Sequence, residues 1–286
     1  MRRADFAAAW RASDSLLAQR GAVARCWSLP RHEQWVWDGR PLDGQRVLVR
    51  CYHGLGDTLQ FARFLPAVAH LASKTTVWAQ AALIPLLQTV PCAERMRFLP
   101  LHEGTPEVDY DVDIEIMELS HALRVRPEDV GGRVPYFQVT PAARVSARFA
   151  VGLVLAAGDW DQRRTLPVQL LDHLVALEGV EVYNLQLNTP PAGLRDLSTP
   201  DVLELARRVR ALDLAIVPDT MLAHLAGALA VPTWVLLPAQ ADWRWHQPDR
   251  GDSPWYPTMR LFRQPSAGDW RPVIDNVLKE ISSSVQ

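Results

Sequence analysis

The stretch RVLVRCYHGLGDTLQFARFLP, residues 46–66, decides the fold. Its opening alternates Val and Leu with little else, which predicts a short buried strand over 46–51. The turn Gly54-Leu55-Gly56-Asp57-Thr58 follows at once, and a helical pattern interrupted by Pro66 then runs over 57–73. Strand, tight turn and helix in this order open a parallel α/β unit, with helices covering the faces of the sheet. The glycines allow a tight turn and close approach of the backbone to a ligand. Asp57 stands at the helix N-terminus, either as a cap that complements the helix dipole or as a carboxylate presented to a substrate. The turn lacks both the lysine of a P-loop and the third glycine of a dinucleotide loop, so neither phosphate fingerprint is met.

The same logic extends outward. Strands are predicted at 75–79, 96–99 and 112–117, with a helix over 81–90. A second series places strands at 151–155, 181–186, 214–218 and 233–237, alternating with helices at 167–177, 201–211 and 220–230. Gly131-Gly132 and the segment from Pro135 to Pro141 separate the two series as a linker. Two such series make a two-domain α/β protein with a central cleft, whose ligands bind at the carboxyl ends of the strands. The division is an N-terminal helical arm at 1–44, a first Rossmann-like domain at 45–140, a second at 141–265 and a C-terminal helix at 266–286. Within the arm, Phe6, Trp10, Leu16, Leu17 and Val23 recur at an approximately helical period over 5–25. Gly21 and Pro30 end that helix, and Trp27, Trp35 and Trp37 follow in an irregular segment. A short helix with an apolar stripe is marginal alone, so it must pack on the first domain or seat a second copy of the chain.

Three further signals carry chemistry. Pro218-Asp219-Thr220 follows a buried strand and precedes a helix, so Asp219 or Thr220 caps it and its first-turn N–H groups form an anion site. His224, one turn on, faces the same ligand or packs. Asp161-Gln162-Arg163-Arg164-Thr165 sets two guanidiniums beyond a strand end, where they suit phosphate recognition or form a solvated face. Five tryptophans (Trp234, Trp243, Trp245, Trp255 and Trp270) crowd residues 234–270, where they stack on a ligand or, more commonly, pack a loop-rich end.

Composition narrows the classes. With 30 Lys and Arg against 32 Asp and Glu, the 286 residues carry no basic footprint for nucleic acid or an anionic membrane. Cys26, Cys51 and Cys92 are odd in number and lack metal-ligand spacing, which fits a reducing compartment. No export signal is legible near Arg2-Arg3 and no apolar run reaches membrane length, so the expectation is a cytoplasmic protein without a membrane span.

Taken together, WDGRPLDGQRVLVRCYHGLGDTLQFARFLP (37–66), LDLAIVPDTMLAHLAGALAVPTWVLLP (212–238) and the DWRW, SPWYP, RLFRQ and GDW pieces within 242–270 resemble the heptosyltransferase-like glycosyltransferases of family 9. The likeness runs over about 35–275 and is strongest to the catalytic domain that follows tetratricopeptide repeats in many bacterial proteins. The resemblance implies a GT-B fold of two facing Rossmann-like domains, the last helix crossing back onto the first. It implies inversion at the anomeric carbon with neither metal nor cofactor, the nucleotide-diphosphate sugar serving as co-substrate. On it, Asp57 matches the general base for the acceptor hydroxyl. Gly54 and Gly56 line the donor, and Asp219, Thr220, Met221 and His224 match the turn that holds the donor diphosphate. Arg164 matches a cationic phosphate contact, and Gln186 falls near the nucleotide. The partners implied are a nucleotide-sugar donor and a glycan or protein acceptor. Departures from the pattern are Tyr52-His53 in place of a Glu-Gln pair, a short 156–163 loop, Leu155 in place of a tryptophan, and an arm that supplies at most one helix of a repeat array. These motivate a competing reading, a catalytically degenerate binding or assembly protein, and a sugar-nucleotide epimerase, which can share this architecture, is a third.

Overall fold

The structure is a computed structural model that describes residues 5–21, 26, 28–131, 134–158, 161–187, 194–245 and 249–285. Val23, Trp27, Gly132, Asp159 and Trp160 lie outside the described residues. The chain divides between Gln138 and Val139 into two compact units.

In the first unit β1 (Arg46–Arg50) lies inside the sheet: it pairs with β2 (Lys74–Ala79) and with β4 (Val112–Glu115), and β3 (Met96–Pro100) lies beyond β2. Every pairing is parallel, with Val49 opposite Val77 and Ile114. Val47, Leu48 and Val49 are buried, as both faces of a parallel sheet require. The helical pattern after β1 resolves into α2 (Leu55–Phe61), one 3-10 turn, and α3 (Leu65–Leu71), with Pro66 in the first turn of α3 where its missing N–H costs nothing. α4 (Ile84–Leu87) follows β2. The last strand is shorter than the sequence predicts. Glu115 caps a one-turn helix, Ile116–Glu118, which ends the strand and leads into α5 (Leu119–Ala122) and α6 (Pro127–Gly131).

The arm is part of this unit. α1 (Phe6–Arg20) starts at Asp5, whose carboxylate accepts the Ala8 N–H at 2.8 Å. Phe6 and Trp10 are buried, and the Trp10 indole donates to Val125 O at 2.8 Å and stacks on His121. Asp14 pairs with His121 and Arg124, which hold its carboxyl down at about 2. Leu17, one heptad beyond Trp10, lies against Gly39, whose φ of +89° favours glycine. The predicted stripe is corrected at Leu16, which is 54 % exposed. Six residues from Trp10 is two-thirds of a turn off its face. The Phe6–Trp10 side is therefore taken up within the unit.

In the second unit β5 (Phe149–Leu153) is central, between β6 (Val180–Asn184) and β8 (Leu214–Pro218). β7 (Arg195–Asp196) extends the β6 side; β9 (Thr233–Leu237) and β10 (Met259–Arg263) extend the other, again all parallel. β7 and β10 were not legible in the sequence: the first is two residues long, and the second interrupts its apolar run with Arg260. α7 (Gln169–Val175), α8 (Val202–Val209), α9 (Met221–Ala228) and α10 (Arg271–Val285) complete it. α10, which the sequence reading sends back to the first domain, buries Val273, Ile274, Val277 and Ile281 in the second unit's own core with Leu170, Leu174, Ile216 and Leu236. Among the described residues no helix is long and apolar enough to cross a membrane.

Trp10→Ala should destabilise the protein by roughly 3–5 kcal/mol, the range for deleting a buried aromatic, with an orphaned Val125 carbonyl added. Urea denaturation measures it. A loss below about 1 kcal/mol would mean that α1 is not integral to the unit.

Candidate functional site

In the first unit the site residues gather at the carboxyl end of β1. Gly54 is the N-cap of α2 with φ −65° and ψ 162°, so no unusual dihedral demands a glycine there. A Cβ at this position would crowd the Asp57 carboxylate, sitting 3.2 Å from its Oδ2. Asp57 is the third residue of the helix and not its cap, and its Oδ2 accepts the Gly54 N–H at 3.0 Å. Gly56 lies inside the first turn of α2. Thr58 Oγ1 donates to Gln80 Oε1 at 3.1 Å, and Gln80 Nε2 donates to the His53 carbonyl at 2.8 Å, which ties the turn to the residue after β2.

Beneath this turn lies an acidic group that the sequence reading missed. Glu115, at the end of β4, is 3 % exposed. Its Oε2 accepts the Met117 N–H at 2.6 Å, and the Tyr52 backbone N–H also favours its ionised form. Burial, reinforced by the nearby Glu118 and Asp57 carboxyls, pushes Glu115 up to about 8. Glu118 is raised as well by burial, against the pull of the Glu115 N–H and of Arg20 from α1. Burial raises the Cys51 thiol, with Glu115 adding to it. A Glu in a strand reads as ordinary β-edge sequence, and only its position under α2 distinguishes it.

On the neighbouring strand β1, Arg50 forms a buried bidentate pair with Asp113 at 2.5 and 2.6 Å, and its guanidinium bonds the Tyr52 hydroxyl and lies over the Tyr52 and Trp78 rings. Tyr52, a departure from the family pattern, thus has a defined structural partner.

In the second unit Gln186, Arg164 and Asp219 all stand beyond the carboxyl ends of the central strands. Gln186 follows β6, and its Oε1 accepts the Ala156 N–H at 2.8 Å, just past β5. Asp161 caps the one-turn helix Gln162–Arg164. The two arginines diverge. Arg163 folds back on Asp161 at 2.8 Å, exposed, whereas Arg164 turns inward and donates from Nη1 to the Asp219 carbonyl at 2.7 Å. Arg164 is thus the one turned toward Asp219, while Arg163 stays on the exposed side. Arg164 Nε is buried without a hydrogen-bond partner among the described residues. Asp219 is buried; that raises its carboxyl, while the neighbouring Trp245 indole and Arg164 pull the other way.

Thr220 occupies the N-cap of α9 but makes no side-chain cap, its hydroxyl donating to Pro218 O at 3.4 Å, so Met221 opens the helix with no side chain on its N–H groups. His224 is packed: it is 4 % exposed, stacked on Trp245 at 5.5 Å between ring centres and hydrogen-bonded through Nδ1 to the Tyr256 hydroxyl at 3.0 Å. Gly227 makes this possible, because a Cβ there would meet the Tyr256 ring at 2.6 Å. Trp245 and Tyr256 are thus the supports of the turn. The aromatic tract signalled them, but only as packing.

Two Asp-x-Asp stretches, at 109–113 and 159–161, could in principle hold a metal, but their described aspartates are each paired with an arginine: Asp109 and Asp111 with Arg46, Asp113 with Arg50, and Asp161 with Arg163. Among the described residues no three His, Cys, Asp or Glu side chains converge as a metal site would require.

No family model matches the chain. Protein FlbA of Caulobacter vibrioides is 26 % identical over 286 residues, covering 84 % of this chain and 47 % of that protein. The chain thus spans about half the length of the curated relative it matches. Among solved structures, ADP-heptose LPS heptosyltransferase II of E. coli superposes with a TM-score of 0.59 at 17 % identity, over 84 % of this chain and 98 % of that one. The family 9 glycosyltransferase of Veillonella parvula superposes with a TM-score of 0.54 at 12 % identity, over 86 % and 90 %. The structural neighbours are family 9 glycosyltransferases, and the fold is their GT-B fold.

Glu115 also makes stability depend on pH. Its folded value near 8 lies above its ordinary 4.5, so the folded state keeps a proton that the unfolded state releases. The stabilisation is full below about 4.5 and is lost as pH rises to about 8, by a few kcal/mol in order of magnitude. Glu115→Gln should flatten this decline in denaturation midpoints measured across that range. An unchanged slope would mean that Glu115 ionises normally.

Proposed function

We propose that the chain is a glycosyltransferase that moves a sugar from a nucleotide-diphosphate donor to a hydroxyl of a glycan or protein, with inversion and without a metal. One observation carries the reading: Arg164, anchored on the Asp219 carbonyl, keeps a buried and unpartnered Nε beside a helix N-terminus that no side chain caps. A preorganised cation and free helix-terminal donors meet the charge that appears on a departing diphosphate. In this mechanism Asp57 accepts the proton of the acceptor hydroxyl. The acceptor oxygen bonds to the anomeric carbon as the bond from that carbon to the diphosphate oxygen breaks on the opposite face, and the diphosphate leaves with its electron pair. Gly54 and Gly56 keep the approach to Asp57 open, and Gln186 lies toward the nucleotide. Asp219 and Thr220 shape the diphosphate turn; Met221 opens its helix, and His224 supports it from the core. The arginine pairing of the described Asp-x-Asp carboxylates favours the metal-independent route.

The engagement of Asp57 Oδ2 by the Gly54 N–H favours a second reading, in which Asp57 is only structural and the protein binds sugar nucleotides without turnover.

Three measurements separate these. Asp57→Asn should lower transfer by about 10²–10⁴-fold, the worth of a general base, with donor affinity nearly intact; unchanged activity per folded molecule selects the binding reading. Arg164→Ala should weaken a nucleoside diphosphate by about 1.5–3 kcal/mol in calorimetric titration, the range for a hydrogen bond to a charged group; equal affinity removes Arg164 from the site. Turnover should survive EDTA, and a loss that added Mg²⁺ or Mn²⁺ restores would overturn the metal-independent mechanism.

A further inference from the structure

We propose that Gln264 binds the sugar of the nucleotide-diphosphate donor, its side-chain amide N–H donating to a sugar hydroxyl. This deepens the transferase reading and rests on it.

Gln264 stands one residue beyond β10 and is 4 % exposed. Its backbone N–H donates to the Leu237 carbonyl, the end of β9, at 3.0 Å. Its side-chain Oε1 accepts two backbone N–H groups, from Gly268 at 3.1 Å and from Ala239 at 3.4 Å. Those two donors fix which end of the amide is the oxygen, because a flipped amide would set its NH2 against two N–H groups. Nε2 is left buried with no hydrogen-bond partner among the described residues. Native interiors seldom keep a buried donor unmatched, and the oxygen of a bound ligand would match this one.

The strand order decides which part of the donor reaches it. Along the carboxyl edge of the sheet the strands run β6, β5, β8, β9, β10. On the transferase reading, Gln186 beyond β6 lies toward the nucleotide, and Arg164 with the Asp219 turn beyond β8 meets the diphosphate. The diphosphate joins nucleoside to sugar, so the sugar continues away from β6, toward β9 and β10. Pro218 pairs with Leu236 and Arg263 with Leu237, which brings Asp219 and Gln264 within one residue of the same level. Two strand spacings, about 10 Å, separate β8 from β10. The two places are also tied together. Arg263 Nη2 donates to the Trp245 carbonyl at 3.0 Å, and the Trp245 ring carries the His224 stack of the diphosphate turn.

The chemistry of the group points the same way. A diphosphate is met by charge-assisted donors, which stand at Arg164 and not here. A neutral amide N–H suits a neutral hydroxyl oxygen, and a sugar lacking that hydroxyl would leave Nε2 buried and unmatched.

Calorimetric titration of the full chain tests this, with ADP-glucose, GDP-mannose, UDP-glucose and dTDP-glucose, each beside its own nucleoside diphosphate. Gln264→Glu keeps an oxygen for the Ala239 and Gly268 N–H groups and replaces only the NH2; Gln264→Met removes the amide without adding charge. Both should weaken the sugar nucleotide that wild type binds by about tenfold, the worth of one hydrogen bond at its upper end, and leave the matching diphosphate nearly unchanged. Among monodeoxy analogues of that sugar, one should bind wild type about tenfold more weakly than the parent, and the two variants should no longer tell that analogue from the parent. If the variants weaken sugar nucleotide and diphosphate equally, or weaken neither, or if wild type distinguishes no deoxy analogue, the sugar contact is overturned while the transferase stands. If wild type binds none of these nucleotides, the transferase reading falls and takes the contact with it.

Discussion

Everything in both units hangs on parallel pairing around a strand that comes first in sequence. β1 is laid down before β2 and β4, and β5 before β6 and β8, yet each ends with a neighbour on either side. Chain segments leaving adjacent strands must therefore part in opposite directions at the carboxyl end, and the gap between them is where side chains converge without filling space. Arg164 reaches Asp219 because β5 and β8 are neighbours in space though far apart in sequence. Glu115 comes opposite Arg50 for the same reason, through the pairing of β4 with β1.

The second organising element is how charge is settled inside a nearly neutral chain. Arg50 is buried only because Asp113 and two aromatic rings neutralise and cover it. Removing one member would leave the other as an uncompensated buried charge. Glu115 has no paired cation among the described residues, and burial pushes its carboxyl up. Arg164 is a complementary case, a guanidinium whose buried Nε has no hydrogen-bond partner among the described residues. Natural interiors seldom leave such groups unmatched, and both stand beside the two turns that the sequence marks as chemical.

α1 shows how a marginal helix gains a place. Alone, a helix of this length is marginal in water, but Trp10 supplies a buried ring and a hydrogen bond, and Asp14 joins His121 on α5 and Arg124 in the loop after it. Its Arg20 also reaches Glu118, so the arm contributes to the electrostatics beneath the Asp57 turn.

The sequence by itself determined the alternation of strands and helices, the break between two α/β series, and the two turns at 54–58 and 218–220. Each is a local property: apolar runs of strand length, glycine and proline at fixed positions, and capping residues in the order a strand-to-helix turn needs. It also carried the identity of Asp57 and Arg164 as residues worth watching. Only the tertiary structure decided what those residues do locally. Asp57 folds back on Gly54, Arg164 separates from Arg163, and His224 turns into an aromatic stack, because the partners concerned are set by packing. β10 was hidden by Arg260 and Arg263 within its short apolar run, and Glu115 by the ordinary look of a glutamate in a strand. Neither has a period or a motif to betray it. Burial is a property of what surrounds a residue, and for Glu115 those surroundings come from α2 and from the loop after β1, more than fifty residues away.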